Sequence, residues 1–337
     1  MSVIRENHPL KELNSFGVEV HSSLYANPSS FEGLLEVLKN YDYRHLPFLV
    51  MGEGSNILFT RDFEGLILSP ALMGIDLINE SGSHVLVRVG AGENWDNWVE
   101  TATLNGWFGL ENLSLIPGSV GSAPVQNIGA YGTELKDHFE WLEAWDLEEK
   151  KLVKIDRKGC RFAYRNSIFK DRARGKFIIT AVCFRLSKSP ALKLGYGHIQ
   201  EAFKAAGGSS PMDLRKLIIE MRKQKLPAPK EIGNAGSFFK NPVIDRLHFK
   251  CIRVDYKDIP SYPELNNHVK IPAAWLIEKS GWKGKRLGKV GTWHKQPLVI
   301  VNHGGASGIE ILQFSELIAK DVEKKFSLTL EREVNVF

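Results

Sequence analysis

Cysteine is scarce in this chain of 337 residues: there are three, Cys160, Cys183 and Cys251, and no CxxC pair. An odd, widely spaced set argues against a disulfide framework and a zinc site and suits a reducing compartment. All three read as small core hydrophobes. No apolar run approaches the ~20 residues that a membrane helix needs, and the opening MSVIRENHPLKELN has no apolar h-region. A cytoplasmic protein with no membrane partner is therefore expected. Excess charge is also modest, at +5, and the basic residues are scattered rather than striped. That disfavours nucleic acid and leaves room for an anionic small molecule. The ten histidines lack metal-ligand spacing, so no metal is expected. Internal repeats, a Walker loop, a G-x-G-x-x-G strand-to-helix turn and a G-x-S-x-G elbow are all missing.

What the chain has is a regular succession of elements. Residues 31–41 have helical spacing, and 46–51, 56–59, 65–69 and 84–91 read as strands. A helix with two tryptophans follows at 95–106, then strands at 139–147, 151–155 and 176–186. Residues 211–226 form a helix in which Ser210 is the N-cap, Pro211 the first helical position and Asp213 the partner in a capping box. After Pro227 the pattern changes to a strand at 237–240, a helix at 272–280, a strand at 297–301, a helix at 308–326 opened by a Ser307–Glu310 capping box, and a strand at 328–337. That is a separate small α/β layer, with its boundary near residue 225 in the Pro- and Gly-rich KLPAPKEIGNAG stretch.

Two segments are candidate anion cradles. One is Gly52-Glu53-Gly54-Ser55-Asn56 between two apolar strands, which could equally be a hairpin turn. The other is 117–132, within the longer stretch 109–132, GLENLSLIPGSVGSAPVQNIGAYG, which holds five glycines and two prolines. So long a Gly-rich stretch inside a compact domain is more often functional than idle. Glycine lets backbone N–H groups approach a phosphate closely. Two such loops in one α+β region suggest a dinucleotide diphosphate held without a Rossmann fold. A third segment, GNAGSFFKNP at 233–242, sets one hydroxyl, Ser237, between a flexible entry and two aromatics. Ser237 is either a turn residue before a strand or a catalytic group that the strand holds still.

The motifs run in order: Asn14-Ser-Phe-Gly-Val18, Gly52-Glu-Gly-Ser-Asn56, Gly90-Ala-Gly-Glu-Asn94, Ile116-Pro-Gly-Ser-Val-Gly-Ser-Ala-Pro124, Gln126-Asn-Ile-Gly-Ala-Tyr-Gly132, Tyr164-Arg-Asn-Ser-Ile-Phe-Lys170, GNAGSFFKNP and Leu330-Glu-Arg-Glu-Val334. This set resembles the UDP-N-acetylenolpyruvoylglucosamine reductase (MurB) family, in its longer type with a tyrosine loop, over nearly the full chain. The resemblance implies an α+β protein with a two-part, non-Rossmann FAD-binding region of the flavin oxidoreductase (PCMH-like) type and a smaller α/β substrate-binding domain. Its parts would be residues 1–70 and 71–224 for FAD, 225–333 for substrate, and 334–337 as the end of the terminal strand. It implies non-covalent FAD, NADPH as electron donor, a monomer, and reduction of UDP-N-acetylglucosamine enolpyruvate to UDP-N-acetylmuramate for peptidoglycan synthesis.

Residue by residue, the resemblance makes Ser237 the proton donor to the enolate-like carbon left by hydride addition. It makes Arg165 the guanidinium that pairs the substrate carboxylate, and Glu333 an acid that could keep its proton and donate a hydrogen bond to developing charge. Glu331 is a competitor on the same strand face, and alignment on Leu-Glu-x-Glu-Val selects Glu333. FAD would be met by Gly52, Glu53, Gly54, Ser55, Asn56, Pro117, Gly118, Ser119, Val120, Gly121, Ser122, Asn127, Ile128, Gly129, Ala130 and Tyr131. Tyr196, Lys225, Asn241, Tyr262, Lys283 and Gln296 match positions used around the substrate, although the basic run 283–289 could be only a solvated loop. Arg332 and Asn335 depart from the pattern, where many relatives have proline and arginine. A flavin oxidase of the same fold and a flavin-free serine hydrolase using Ser237 are the rival readings.

Overall fold

The computed structural model describes residues 4–337. The chain forms two compact units, each assembled from three stretches. The first comprises the chain up to His8, Ser22–Glu53 and Phe63–Arg222. The second comprises Pro9–His21, Gly54–Asp62 and Lys223–Phe337.

The first unit is built on a five-stranded antiparallel sheet, in the order Lys151–Asp156, Phe139–Asp146, Phe177–Ser187, His84–Gly90 and Ile75–Glu80. The alternation in HVLVRVG turns Val85, Val87 and Val89 inward, as a period of two requires. Against them packs the helix Trp95–Leu104, whose first turn is capped where Asn94 Oδ1 accepts from the Asn97 N–H at 3.0 Å. Its two tryptophans are fully buried, and the Trp98 ring lies 5.4 Å from that of Phe184. A smaller sheet sets Phe63–Leu68 parallel to both His21–Ala26 and Phe48–Val50. The helix Phe31–Asn40 buries Leu34, Val37 and Leu38 in the same cluster as Leu66 and Leu68.

The helix read at 211–226 is Pro211–Lys225, and its N-terminus is the expected box: Ser210 Oγ accepts from the Asp213 N–H and Asp213 Oδ2 accepts from the Ser210 N–H. Arg215 lies on its inner face, almost fully buried, with both terminal nitrogens on Asp96 at 2.6 and 3.1 Å. A buried bidentate pair of this kind fastens the helix to Trp95–Leu104.

In the second unit the strands Gly233–Ser237, Val299–Asn302, Val290–Thr292 and Arg286–Leu287 form an antiparallel sheet. The helix Gly308–Phe326 buries Ile311, Phe314, Ile318 and Val322, and Ser307 with Glu310 closes the predicted capping box. Three features differ from the sequence reading. Cys160 and Cys183 are buried, with thiols pushed up to about 12 by desolvation, but Cys251 is exposed on a helix, Arg246–Asp255, that the sequence reading missed. That helix buries Phe249 and Ile252, and Cys251 falls on the opposite side. The strand expected at 237–240 is Gly233–Ser237, followed by an isolated pairing of Phe239 with Arg332. The strand expected at 328–337 reduces to that pairing and to Asn335–Val336, which runs parallel to Ile57–Leu58.

Candidate active site

In the first unit the Gly-rich motifs converge. Glu53 is the only acid in the two anion-cradle segments, and both its oxygens are engaged by the protein: Oε1 accepts from Asn94 Nδ2 at 2.8 Å and Oε2 from the Gly118 N–H at 3.1 Å. The carboxylate thus ties residue 53 to the 117–122 loop. Gly52 sits so close to that loop that a Cβ on it would lie 2.7 Å from Ser119 Oγ and 3.1 Å from Ser122 Cβ. The N–H groups of Val120, Gly121 and Ser122 are committed to Glu93, Ala91 and Ser119 carbonyls. The Ser119 hydroxyl has no hydrogen-bond partner among the described residues. Small residues, an acid whose oxygens are taken up by the protein's own donors and a spare hydroxyl fit a dinucleotide diphosphate. Val120, Asn127 and Ile128 are buried, and the N–H groups of Asn127 and Ile128 are likewise committed, to the Pro124 and Ala123 carbonyls, so these three residues shape the loop.

The Tyr164–Lys170 motif docks on the 125–132 loop through three of its polar side chains. Ser167 Oγ donates to the Val125 carbonyl at 2.6 Å, Lys170 Nζ to Gln126 Oε1 at 3.3 Å and Arg165 Nη2 to the Gly129 carbonyl at 2.7 Å. In return Asn127 Nδ2 donates to the Ala163 carbonyl at 3.1 Å. Arg165, Asn127 and Tyr131 all have positive φ, at 52°, 45° and 49°. Left-handed backbone at three non-glycine residues in two touching loops costs energy that packing must offset, and such strain concentrates at functional sites. The Tyr196 ring meets that of Tyr131 edge-on, with centroids 6.1 Å apart.

Arg222 completes this cluster, and the sequence reading did not name it. Its Nε is sealed from solvent without a hydrogen-bond partner. Burial holds its pKa below the usual value, Tyr131 and Asp96 oppose that shift, and Arg165 adds to it. Burial likewise raises the Tyr131 phenol, against the pull of Arg222. Two guanidinium groups near enough to repel each other suit an anionic ligand. The available signal was spacing: Arg222 stands three residues before Lys225 in a helical stretch.

The second unit holds Ser237 and Glu333. Asn234 is buried and its amide organises the entry to Ser237. Nδ2 donates to the Pro227 and Ile232 carbonyls at 3.2 and 2.9 Å, and Oδ1 accepts from the Gly236 N–H at 3.0 Å. A register shift follows between Asn234 and Ser237, which then pairs with Val299. Phe238 and Phe239 are fully buried and lock the chain on the far side. The Glu333 N–H donates to the Phe238 carbonyl at 2.8 Å, which brings Glu333 across from the residue after Ser237. Its neighbour Glu331 is exposed and ion-paired to Lys240 at 2.5 Å. Asn56 Nδ2 donates to the Glu333 carbonyl at 3.2 Å, and both the N–H and Nδ2 of Asn335 donate to the Asn56 carbonyl at 3.1 Å. Asn335 therefore clamps the 54–56 segment through the Asn56 carbonyl. Arg332 turns toward Glu316, 3.9 Å away.

The Asn14–Val18 motif braces the same strand. The Asn234 N–H donates to the Ser15 carbonyl at 2.8 Å, and Gly233 runs so near Phe16 that a Cβ would sit 2.2 Å from its carbonyl oxygen. Because that obstacle is backbone, Gly233→Ala is expected to destabilise the protein by about 1–3 kcal/mol, read as a lowered urea midpoint at unchanged slope. Of the remaining substrate candidates, Asn241 Oδ1 accepts from the Ala273 N–H at 2.9 Å, which fixes the orientation of the amide. Lys283 pairs with Glu278 at 2.8 Å, and Tyr262 is exposed beside Lys270 on a three-stranded sheet. The main-chain N–H of Gln296 donates to the Trp293 carbonyl, and Lys225 ends its helix exposed.

Residues 22–156 match an FAD-binding domain, and residues 227–337 match the C-terminal domain of UDP-N-acetylenolpyruvoylglucosamine reductase. The chain is 44% identical to the UDP-N-acetylenolpyruvoylglucosamine reductase of Amoebophilus asiaticus and 43% to that of Pseudomonas aeruginosa, each over 99% of both chains. The crystal structure of the Thermus caldophilus reductase superposes with a TM-score of 0.69, covering 100% of this chain and 99% of that one at 22% identity, and so shares the fold. The chain belongs to the UDP-N-acetylenolpyruvoylglucosamine reductase family of FAD-containing oxidoreductases.

Proposed function

We propose that this protein reduces UDP-N-acetylglucosamine enolpyruvate to UDP-N-acetylmuramate with electrons from NADPH. FAD, when bound, supplies the hydride that adds to the vinyl carbon of the enol ether. The chain's own task is then to stabilise the enolate-like charge next to the carboxylate and to deliver one proton to carbon. Ser237 is the proton donor, Arg165 pairs the carboxylate, and Glu333 in its acid form donates to the developing charge. The 52–56, 117–122 and 127–131 segments hold the cofactor. Tyr196, Lys225, Asn241, Tyr262, Lys283 and Gln296 receive the sugar nucleotide.

The observation that carries this reading is the hydrogen bond from the Glu333 N–H to the carbonyl of Phe238, the residue after Ser237, which holds the acid's backbone beside the segment that bears the hydroxyl. The Arg165 turn, strained and fastened to Gly129, supports a fixed guanidinium in the first unit. The serine hydrolase reading finds no support, because no histidine is hydrogen-bonded to Ser237 among the described residues. Among those residues, no helix is long and apolar enough to cross a membrane.

The test is a visible spectrum of the purified protein under anaerobic conditions. Flavin absorbance should bleach with NADPH and return on adding UDP-N-acetylglucosamine enolpyruvate. Bleaching without reoxidation by that substrate would overturn the substrate assignment. Failure of NADPH to bleach the flavin would overturn the donor.

A further inference from the structure

Asn112 is 1% exposed, in the short turn Glu111–Leu113 that no part of the reading above uses. A buried amide is costly unless its hydrogens find acceptors. Here both come from one nitrogen: Nδ2 donates to the Tyr131 carbonyl and to the Lys193 carbonyl, each at 3.0 Å. Those carbonyls lie in two different loops. One is the 127–132 loop, to which Arg165 is fastened through Gly129. The other is the 192–197 stretch that carries Tyr196, a segment with little regular structure and with Gly197 in the left-handed region at φ 55°. The two loops also meet through the edge-on Tyr131–Tyr196 contact and the approach of Tyr196 Cβ to Gly132, where a Cβ would be 3.4 Å away, and Tyr131, Leu192 and Leu194 pack against one small hydrophobic cluster.

We propose that Asn112 is a positioning residue for substrate binding, a two-headed clamp that holds the Tyr196 loop at a set distance from the Tyr131 loop. This rests on the assignment of Tyr196 to the substrate site. Asn112 itself touches no substrate. It acts by presenting the Tyr196 ring already seated against Tyr131, so that binding does not have to order the loop.

Asn112→Asp keeps the shape and removes both donors, setting a carboxylate against two carbonyls. It is expected to raise KM for UDP-N-acetylglucosamine enolpyruvate about tenfold, in line with two lost hydrogen bonds, and to change kcat by less than about threefold. Amide hydrogen exchange over residues 192–197 should quicken in the flavin-loaded protein. Asn112→Leu, which removes the polar group altogether, should show the same exchange and KM changes, and Leu113→Ala, which perturbs the same turn without touching the clamp, neither. In a Tyr196→Ala background, Asn112→Asp should add nothing further to KM, because the ring it positions is gone. A full tenfold effect in both backgrounds, or unchanged exchange at 192–197 in both Asn112 variants, would overturn the clamp. If Tyr196→Ala alone leaves KM unchanged, the substrate role of Tyr196 fails instead, and the exchange result still decides whether Asn112 holds the loop.

Discussion

Ser237→Ala is expected to cut turnover by about 10²–10⁴-fold, the usual worth of a positioned general acid. The flavin of that variant should still bleach with NADPH at close to the wild-type rate, since no proton to carbon is needed in that half. Reoxidation by the enol ether is the step that should slow. The backbone around Ser237 does not depend on its hydroxyl: Asn234 organises the entry, Phe238 and Phe239 are buried beyond it, and the register with Val299 is made by main chain. A loss of hydroxyl therefore reads as a loss of proton transfer, not of fold. Rapid-mixing spectra in each half-reaction make the distinction. Equal slowing of both halves would mean that Ser237 shapes the flavin environment, and near-normal reoxidation would remove it from the chemistry.

The strand and helix pattern was legible wherever period and capping agreed. Val85, Val87 and Val89 announce a half-buried strand, and the boxes at Ser210–Asp213 and Ser307–Glu310 formed as read. What escaped was short or built on contacts far apart in sequence. Arg286–Leu287 and Val290–Thr292 are two- and three-residue strands separated by a glycine turn, too brief for any period to register. The helix Arg246–Asp255 starts at an Asp245 cap, but four of its ten residues are basic and its apolar stripe is thin. No local pattern could say that Asn14–Val18 would brace Gly233 and Asn234, more than two hundred residues away. The site motifs were legible as motifs. Their inner logic was not: which polar side chains face a ligand and which, like Asn127 and Asn335, spend their hydrogen bonds on neighbouring backbone. Arg222 and Asn112 belong to that hidden part, since each draws its meaning from burial.

His138 supplies the other large expected effect, on stability rather than rate. Its ring packs so closely on Gly109 that a Cβ there would lie 2.3 Å from Cε1, and its Nε2 is sealed without a partner. Burial lowers its pKa from 6.5 to about 4, with Lys193 adding to the shift and Asp137 opposing it. The folded protein thus keeps this ring neutral over a range in which the unfolded chain binds a proton. Stability from His138 is present above pH 6.5, falls as pH drops from 6.5 to about 4, and is lost in full below that. A shift of this size corresponds to about 3 kcal/mol. Glu111, two residues beyond Gly109, works in the other direction: burial raises its pKa, so the folded state gains from its protonation as pH falls. The wild-type curve should therefore fall through the histidine range and flatten at its acid end. Urea unfolding with saturating FAD between pH 4 and 7.5 tests this against His138→Gln, which cannot charge. The variant should lose most of the slope below pH 6.5. Parallel curves would show that the acid sensitivity belongs to other groups, and that His138 finds room to hold its proton in the folded state.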